Sequence, residues 1–251
     1  RILQAQKKYG EAEVAFRAAR ARRPDDLLPL DGLVQTLVAA GKPDAAINEL
    51  RSFLEAHPDQ SRARYLLGVV HARQGNAAAA RPLFEALIKA EPRVPVYYMA
   101  LAGIETAADK RMATLRRGFD TVSGDIDLGQ LLANEYERAG QPEEAIKIYE
   151  QLRVAHPQAE VLANNLASLL LDYRTDKDSL QQALRLSTPF ASSTDPALLD
   201  TLGWAHYRNA DPAQAVRLLE RAAAARGDSA AIRYHLGMAY LAVNNQAGAK
   251  Q

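Results

Sequence analysis

The sequence predicts an all-α protein in which short helix pairs repeat along the chain, and three observations carry that prediction. Residues 61–94 hold two apolar runs at helical spacing, one through Tyr65, Leu67, Val69 and Val70 and one through Ala80, Leu83, Phe84 and Leu87. A Gly75-Asn76 break separates the runs and Pro92 closes them, which reads as two helices and a turn. The same marks recur at a 34-residue interval: small Ala12, Ala46 and Ala80, large Phe16, Leu50 and Phe84 four residues later, and Pro24, Pro58 and Pro92 twelve residues later. A fixed period of this length is the mark of stacked units, each burying its apolar face only against its neighbours.

The best copy reads Leu67-Gly68, His71, Ala80, Phe84 and Pro92, and this pattern resembles the tetratricopeptide repeat over essentially the whole chain. The resemblance implies a right-handed superhelical solenoid of antiparallel helix pairs. It further implies that the first helix of each unit lines a concave groove.

Taken in order, residues 1–26 are a partial unit: RILQAQ is the tail of a first helix, and Glu11–Arg23 is a second helix with Ala12, Phe16 and Ala19 inward. Arg17, Arg20, Arg22 and Arg23 face outward as a solvated basic face. The unit 27–60 has helices near 27–40 and 43–56 around Gly41-Lys42-Pro43, with Pro43 at the first helical position. Its Gly32 stands two residues before the usual glycine site, which Val34 occupies, so it is a looser copy. In units 27–60 and 61–94, the closing prolines disfavour the α conformation at His57 and Glu91 and so fix the helix length.

Residues 95–125 form a degenerate unit whose first helix runs through Tyr97, Tyr98, Leu101 and Ile104 to a turn at Ala108-Asp109-Lys110. Its second helix carries Met112, Leu115, Phe119 and Val122, with Arg116 where a large apolar residue is expected. The unit 126–159 returns to form around Gly140-Gln141-Pro142. In 160–195 the interval from Ala145 to Ala183 stretches to 38 residues, which predicts a protruding polar loop over 172–179. Pro189 is expected to kink or end the second helix of that unit. The unit 196–229 has Asp211 as N-cap and Pro212 as first helical residue, and 230–251 is a partial unit around Leu236-Gly237 and Tyr240. The chain is thus expected to begin and end inside a repeat and to be a piece of a longer protein. Neither end shows the polar capping helix of a free solenoid.

Composition sets further bounds. With 31 basic and 30 acidic residues there is no electrostatic footprint for nucleic acid. The absence of cysteine excludes disulfides and thiolate metal sites and is compatible with either redox compartment. No run reaches the roughly 18–20 apolar residues of a membrane span. Membrane association would therefore come only through flanking segments, and an opening Arg1 leaves room for a removed targeting sequence. No catalytic motif, cofactor-binding motif or metal-ligand spacing is present. His57, His71, His156 and His206 read as packing residues, while His235 joins a candidate groove.

By the resemblance, the groove is bland in the early units (Leu28, Asp31, Gln35, Arg62, Tyr65) and richer in the later ones. The candidate partner-binding residues are Asn134, Arg138, Asn164, Asn165, Asp200, Trp204, Tyr207, Arg208, Tyr234 and His235, with Gln130, Glu137, Ser168, Thr201 and Met238 beside them. An asparagine donates and accepts together, which suits an extended peptide backbone, and an exposed Trp, Tyr or Arg serves as an anchor. Asn134 and Asn165 match the asparagine pair by which chaperone-binding members grip a peptide. The basic residues that clamp a carboxylate in those members are replaced by Gln130, Ala197 and Thr201, so a carboxylate clamp is rejected. Aromatics beside the Leu-Gly pair also fill helix interfaces, so Trp204 carries both readings.

The resulting expectation is a non-catalytic scaffold binding a protein or peptide in its groove. The stretches 164–170, 200–207 and 231–240 resemble bacterial envelope and exopolysaccharide-export proteins of the PEP-CTERM type. That resemblance implies a periplasmic or outer-membrane-associated assembly factor. Two alternatives stand beside it: a targeting arm of a larger enzyme, a glycosyltransferase or protease with its catalytic domain elsewhere, and a module that self-associates into a homo-oligomer through uncapped ends.

Overall fold

In this computed structural model the described residues, 8–250, form fourteen α-helices and two short 3₁₀ turns, with no strand among them. The fold class is the predicted one, all-α, a solenoid of antiparallel helix pairs. The reading of RILQAQ as a helix tail lies outside the described residues. No helix among them is long and apolar enough to cross a membrane.

The chain divides into two compact units, Arg1–Leu128 and Gly129–Gln251. The first contains α1 (Tyr9–Arg22), α2 (Leu27–Ala39), α3 (Pro43–Ala56), α4 (Ser61–Arg73), α5 (Ala77–Ala90), α6 (Pro95–Gly103) and α7 (Ala108–Thr121). Helix α8 (Ile126–Arg138) carries the boundary between the units. The second continues with α9 (Pro142–Ala155), α10 (Glu160–Tyr173), α11 (Lys177–Ser187), α12 (Pro196–Arg208), α13 (Pro212–Ala225) and α14 (Ala230–Ala242). Within each unit a helix packs on its sequence neighbours, and first helices also meet the first helix of the next pair, α2 with α4, α10 with α12 and α12 with α14. Short-range stacking of this kind lets the core grow one helix pair at a time.

One turn geometry sets the spacing of the pairs. Gly41, Gly75 and Gly140 have φ of 72°, 74° and 69°, and the residue after each donates its N–H to a carbonyl five residues back, Leu37, His71 and Tyr136. This is the left-handed helix stop that glycine enters without a Cβ penalty. In the pair α12–α13 the same bond runs from Asp211 to His206, but the left-handed residue is Ala210, at φ 63°. Asn209 supports that turn by donating to the carbonyls of Leu180 and Ala205.

Small residues sit where helices cross. Ala46, Ala80, Ala145, Ala183 and Ala215 are fully buried. A Cβ on Gly68 would lie 2.5 Å from the Phe84 ring, so that glycine lets α5 approach α4. Gly32 is not a displaced copy of this site: its missing Cβ makes room for Phe16 on α1, a contact with the preceding pair.

Three expectations are corrected and one, at Pro189, is met. The stretch 172–179 is not a protruding loop, because α10 runs through Tyr173 and the Asp176 carboxylate caps α11 by accepting from Ser179 N–H at 2.9 Å. Only residues 174–176 connect the helices. The degenerate unit turns at 104–107 rather than at 108–110, which open α7. Glu105 holds that earlier turn, its buried carboxylate accepting from both terminal nitrogens of Arg81 at 2.6 and 2.9 Å. Arg17 and Arg20 are not merely solvated, since both pair with Glu49 on α3 and brace α1 against it. Pro189 ends α11 at Ser187 and opens a 3₁₀ turn at Thr188–Ser192, as a proline without an N–H requires.

Candidate functional site

The candidate site lies in the second unit. On α10, Asn165, Ser168 and Asp172 are three, four or seven residues apart and so share one face; on α8, Asn134 and Glu137 do the same. These two faces, with Tyr149 of α9 and Leu169, enclose a solvent-open cleft of about 190 Å³. Tyr149 is only 3% exposed, and its hydroxyl accepts from Asn165 Nδ2 at 3.2 Å. Asn165 Oδ1 in turn accepts from Asn164 Nδ2 at 3.4 Å, which orients the pair. The Asn164 oxygen is buried without a partner.

Burial pushes the Glu137 carboxyl above its ordinary value, and the nearby Asp172 charge pushes it further. Asp172 is also raised by loss of solvent; His235 and Arg208 draw it back, and Asp200 opposes them. Tyr149 is raised by burial, against the pull of its Asn165 bond. The cleft is therefore polar, acidic and lined with hydrogen-bonding groups, while its framework of Leu162, Leu166, Leu170 and Leu171 is buried.

The structure separates the predicted residues into three groups. Asn134 and Asn165 line one cleft, as the resemblance implied. A second group is consumed by packing. Trp204 is 9% exposed and sits in a stack, its ring 4.7 Å from Tyr207 at 7° and 4.3 Å from His235 at 16°. His235 Nδ1 lies 2.8 Å from Asp200 Oδ1, fixing the far side of the stack. Arg208 donates to the carbonyls of Leu171 and Arg174, the latter at 2.9 Å, and so caps α10. These residues join α10, α12 and α14; of the two readings of Trp204 the structure has the interface one, because three aromatic rings exclude more water stacked together than facing solvent. The third group stays outside: Tyr234 is 60% exposed on the rim of the stack, and Arg138 is exposed with its guanidinium 2.8 Å from Glu135.

Two cleft residues escaped the sequence reading. Asp172 was assigned to a loop, although it stands seven residues after Asn165, on the same face if the helix continues. Tyr149 lies on a second helix, outside the first helices that the resemblance assigns to the groove; no local signal shows that its hydroxyl reaches the cleft.

Two sequence models, both described as tetratricopeptide repeat, match the chain, one over residues 32–104 and 201–249 and the other over 126–169. No curated protein matches it. Among solved structures, the C-terminal part of a tetratricopeptide-repeat protein from Cytophaga hutchinsonii is similar at a TM-score of 0.66 and 12% identity, over 94% of this chain and 97% of that one. PilW, a type IV pilus biogenesis factor, is similar at 0.55 and 13% identity, over 76% and 90%. MamA from Desulfovibrio magneticus RS-1, from residue 41 to its end, is similar at 0.53 and 12%, over 62% and 89%. At these identities the likeness concerns the fold.

Proposed function

The chain belongs to the tetratricopeptide-repeat family, and on that premise we propose that it is a non-catalytic scaffold whose second unit holds a peptide segment of a protein partner in the cleft between α8 and α10. Folds of this family are generally protein-interaction scaffolds. The observation that carries the reading is the meeting of Asn134 and Asn165 at one solvent-open cleft, where Asn165 keeps a second N–H and a second lone pair beyond its bonds to Tyr149 and Asn164 for a backbone that must both donate and accept. We assign the partner to a bacterial envelope or exopolysaccharide secretion assembly; the resemblance of 164–170, 200–207 and 231–240 to such proteins supports that setting.

Site-specific photo-crosslinking tests the reading. A photoreactive residue at position 134 or 165 should trap a protein partner from bacterial envelope fractions, whereas one at exposed Val154 on α9 should not. Adducts formed from position 154 alone would move the binding surface to the opposite face and overturn the proposal.

A further inference from the structure

A polar pocket of about 480 Å³ opens in the first unit where α3, the end of α4 and the start of α5 meet, lined by Asp44, Asn48, Arg51, His71, Gln74 and Asn76. Asp44, Asn48 and Arg51 follow at three- and four-residue steps along one face of α3. Asp44 is engaged: its Oδ1 accepts from Gln74 Nε2 at 3.0 Å, and it stands in the first turn of α3, where the helix dipole favours an acid. Arg51 is exposed and has no hydrogen bond or ion pair with any described residue. His71 is an observation independent of that charge. It is 5% exposed, it lines the pocket, and its Nδ1 is buried without a hydrogen-bond partner. Burial, with Arg51 adding to it, holds its pKa below 6.5, so near pH 7 the neutral ring keeps one N–H to donate. A buried polar group left unpaired is costly, and a ligand that pairs with it removes the cost.

The chemistry that fits this place is visible in another pair of the same chain. His206 stands three residues after Leu202-Gly203, as His71 stands after Leu67-Gly68, and in both the N-cap of the following helix comes five residues later, Asp211 in one and Asn76 in the other. Asp211 uses Oδ1 to cap α13, accepting from Gln214 N–H at 3.2 Å, and its Oδ2 lies 3.1 Å from His206 Nδ1. Asn76 caps α5 in the same way, its Oδ1 accepting from Ala79 N–H at 3.1 Å. Its other terminal atom is an amide nitrogen, which cannot accept from an imidazole, and His71 Nδ1 goes without a bond. Where α12–α13 supplies a carboxylate from its own chain, α4–α5 has an unpartnered imidazole beside a guanidinium without a counter-charge.

We propose that this pocket is a subsite for a carboxylate of a protein partner, an aspartate or glutamate side chain or a chain end, which accepts a hydrogen bond from the His71 ring and a charge-assisted pair from Arg51. The side chains at its mouth, Asn48, Arg51 and Gln74, are exposed and shift at little cost as the ligand enters. The positive end of the α5 dipole favours the same charge. The subsite belongs to the first unit and does not depend on the cleft between α8 and α10.

The test uses end-blocked alanine-serine peptides that differ only at a central glutamate, aspartate, glutamine or lysine, and a further glutamine peptide with a free C-terminus. Each is titrated into the whole protein while the imidazole NMR signals of His71 and the amide signals of α3 to α5 are followed. The carboxylate peptides should bind about ten-fold or more tighter than the blocked glutamine and lysine ones and should move the His71 ring signals, the size expected for hydrogen bonds to charged groups. Binding of the free-terminus peptide alone would assign the carboxylate to a chain end; binding of the glutamate and aspartate peptides alone would assign it to a side chain. Arg51→Gln, at an exposed position, should lose the preference with its thermal midpoint unchanged. Asn76→Asp, which gives this pair the carboxylate that Asp211 gives the other, should raise the thermal midpoint and weaken carboxylate binding about ten-fold, because the site then fills itself. Equal binding of all the peptides, no shift of the His71 ring, or a preference that survives in either variant would overturn the subsite, while crosslinking from positions 134 and 165 judges the second-unit cleft separately.

Discussion

Replacing Trp204 by alanine separates packing from binding most sharply, because the geometry makes its ring the shared wall of two helix pairs. The side chain is 9% exposed and is sandwiched between Tyr207 and His235. Burying roughly 200 Å² of aromatic surface at about 25 cal/mol/Å² is worth up to ~5 kcal/mol. A compact unfolded chain reduces that figure by roughly 10–40%, and stacking restores about 0.5–1.5 kcal/mol. The expected loss is about 3–5 kcal/mol, the usual range for removing a large aromatic from a core. Because stability in a stacked-repeat chain is local, the loss should fall on α12 to α14 rather than on the whole molecule. Urea unfolding by far-UV circular dichroism should then show a separate early transition. Hydrogen exchange should show lost protection over residues 196–242 with α1 to α4 unchanged. Trp204 is the sole tryptophan, so fluorescence cannot follow this variant, but it reports the same region in every other one. A Trp204→Ala protein within ~1 kcal/mol of the parent and with unaltered exchange would refute the packing assignment and restore the ring as a ligand anchor.

Three further outcomes follow from the geometry. Gly68→Ala should destabilise the first unit by about 1–3 kcal/mol, since the new methyl meets the fully buried Phe84 ring. Gly237→Ala, at the matching motif position but with nothing within 4 Å, should instead stabilise by ~0.5–1 kcal/mol; chemical denaturation of the two side by side checks the contrast. Ala210→Gly should raise the melting temperature, because a left-handed alanine costs about 1–2 kcal/mol and glycine returns only part of that as backbone entropy. His71 is buried with an unpartnered Nδ1, and burial, with Arg51 adding to it, holds its folded pKa below the ordinary 6.5. The unfolded chain therefore takes up the proton first. Stability from this site should be complete above the ordinary value and fall as pH drops below it, until the folded-state pKa is passed. Denaturation midpoints at several pH values should show a weaker acid-side slope in His71→Leu.

The helices and their order were legible in the sequence because the signals are local. A proline, a glycine able to turn left-handed and a stripe of apolar residues act within one or two helical turns, and the 34-residue period repeats them. The errors came where a neighbouring unit overrules local chemistry. The polar stretch from Asp172 looked like a loop, yet its first two residues complete a helix whose end is capped by Arg208, 34 residues beyond Arg174. The first helix of the degenerate unit stops early at Gly103, and Glu105 just beyond it is held by Arg81 on the preceding helix.

For the site, the sequence determined that Asn134 and Asn165 lie on successive first helices, and the resemblance to the repeat family implied that they share a groove. Only the tertiary structure decided which of the other polar and aromatic residues remain available to a partner. Trp204 and Arg208 were used up by contacts with α14 and α10, whereas Asn134, Glu137 and Asp172 line a common cleft. A residue's type fixes what bonds it can form, but which of those bonds are already made depends on side chains that arrive one or two helix pairs later in the chain.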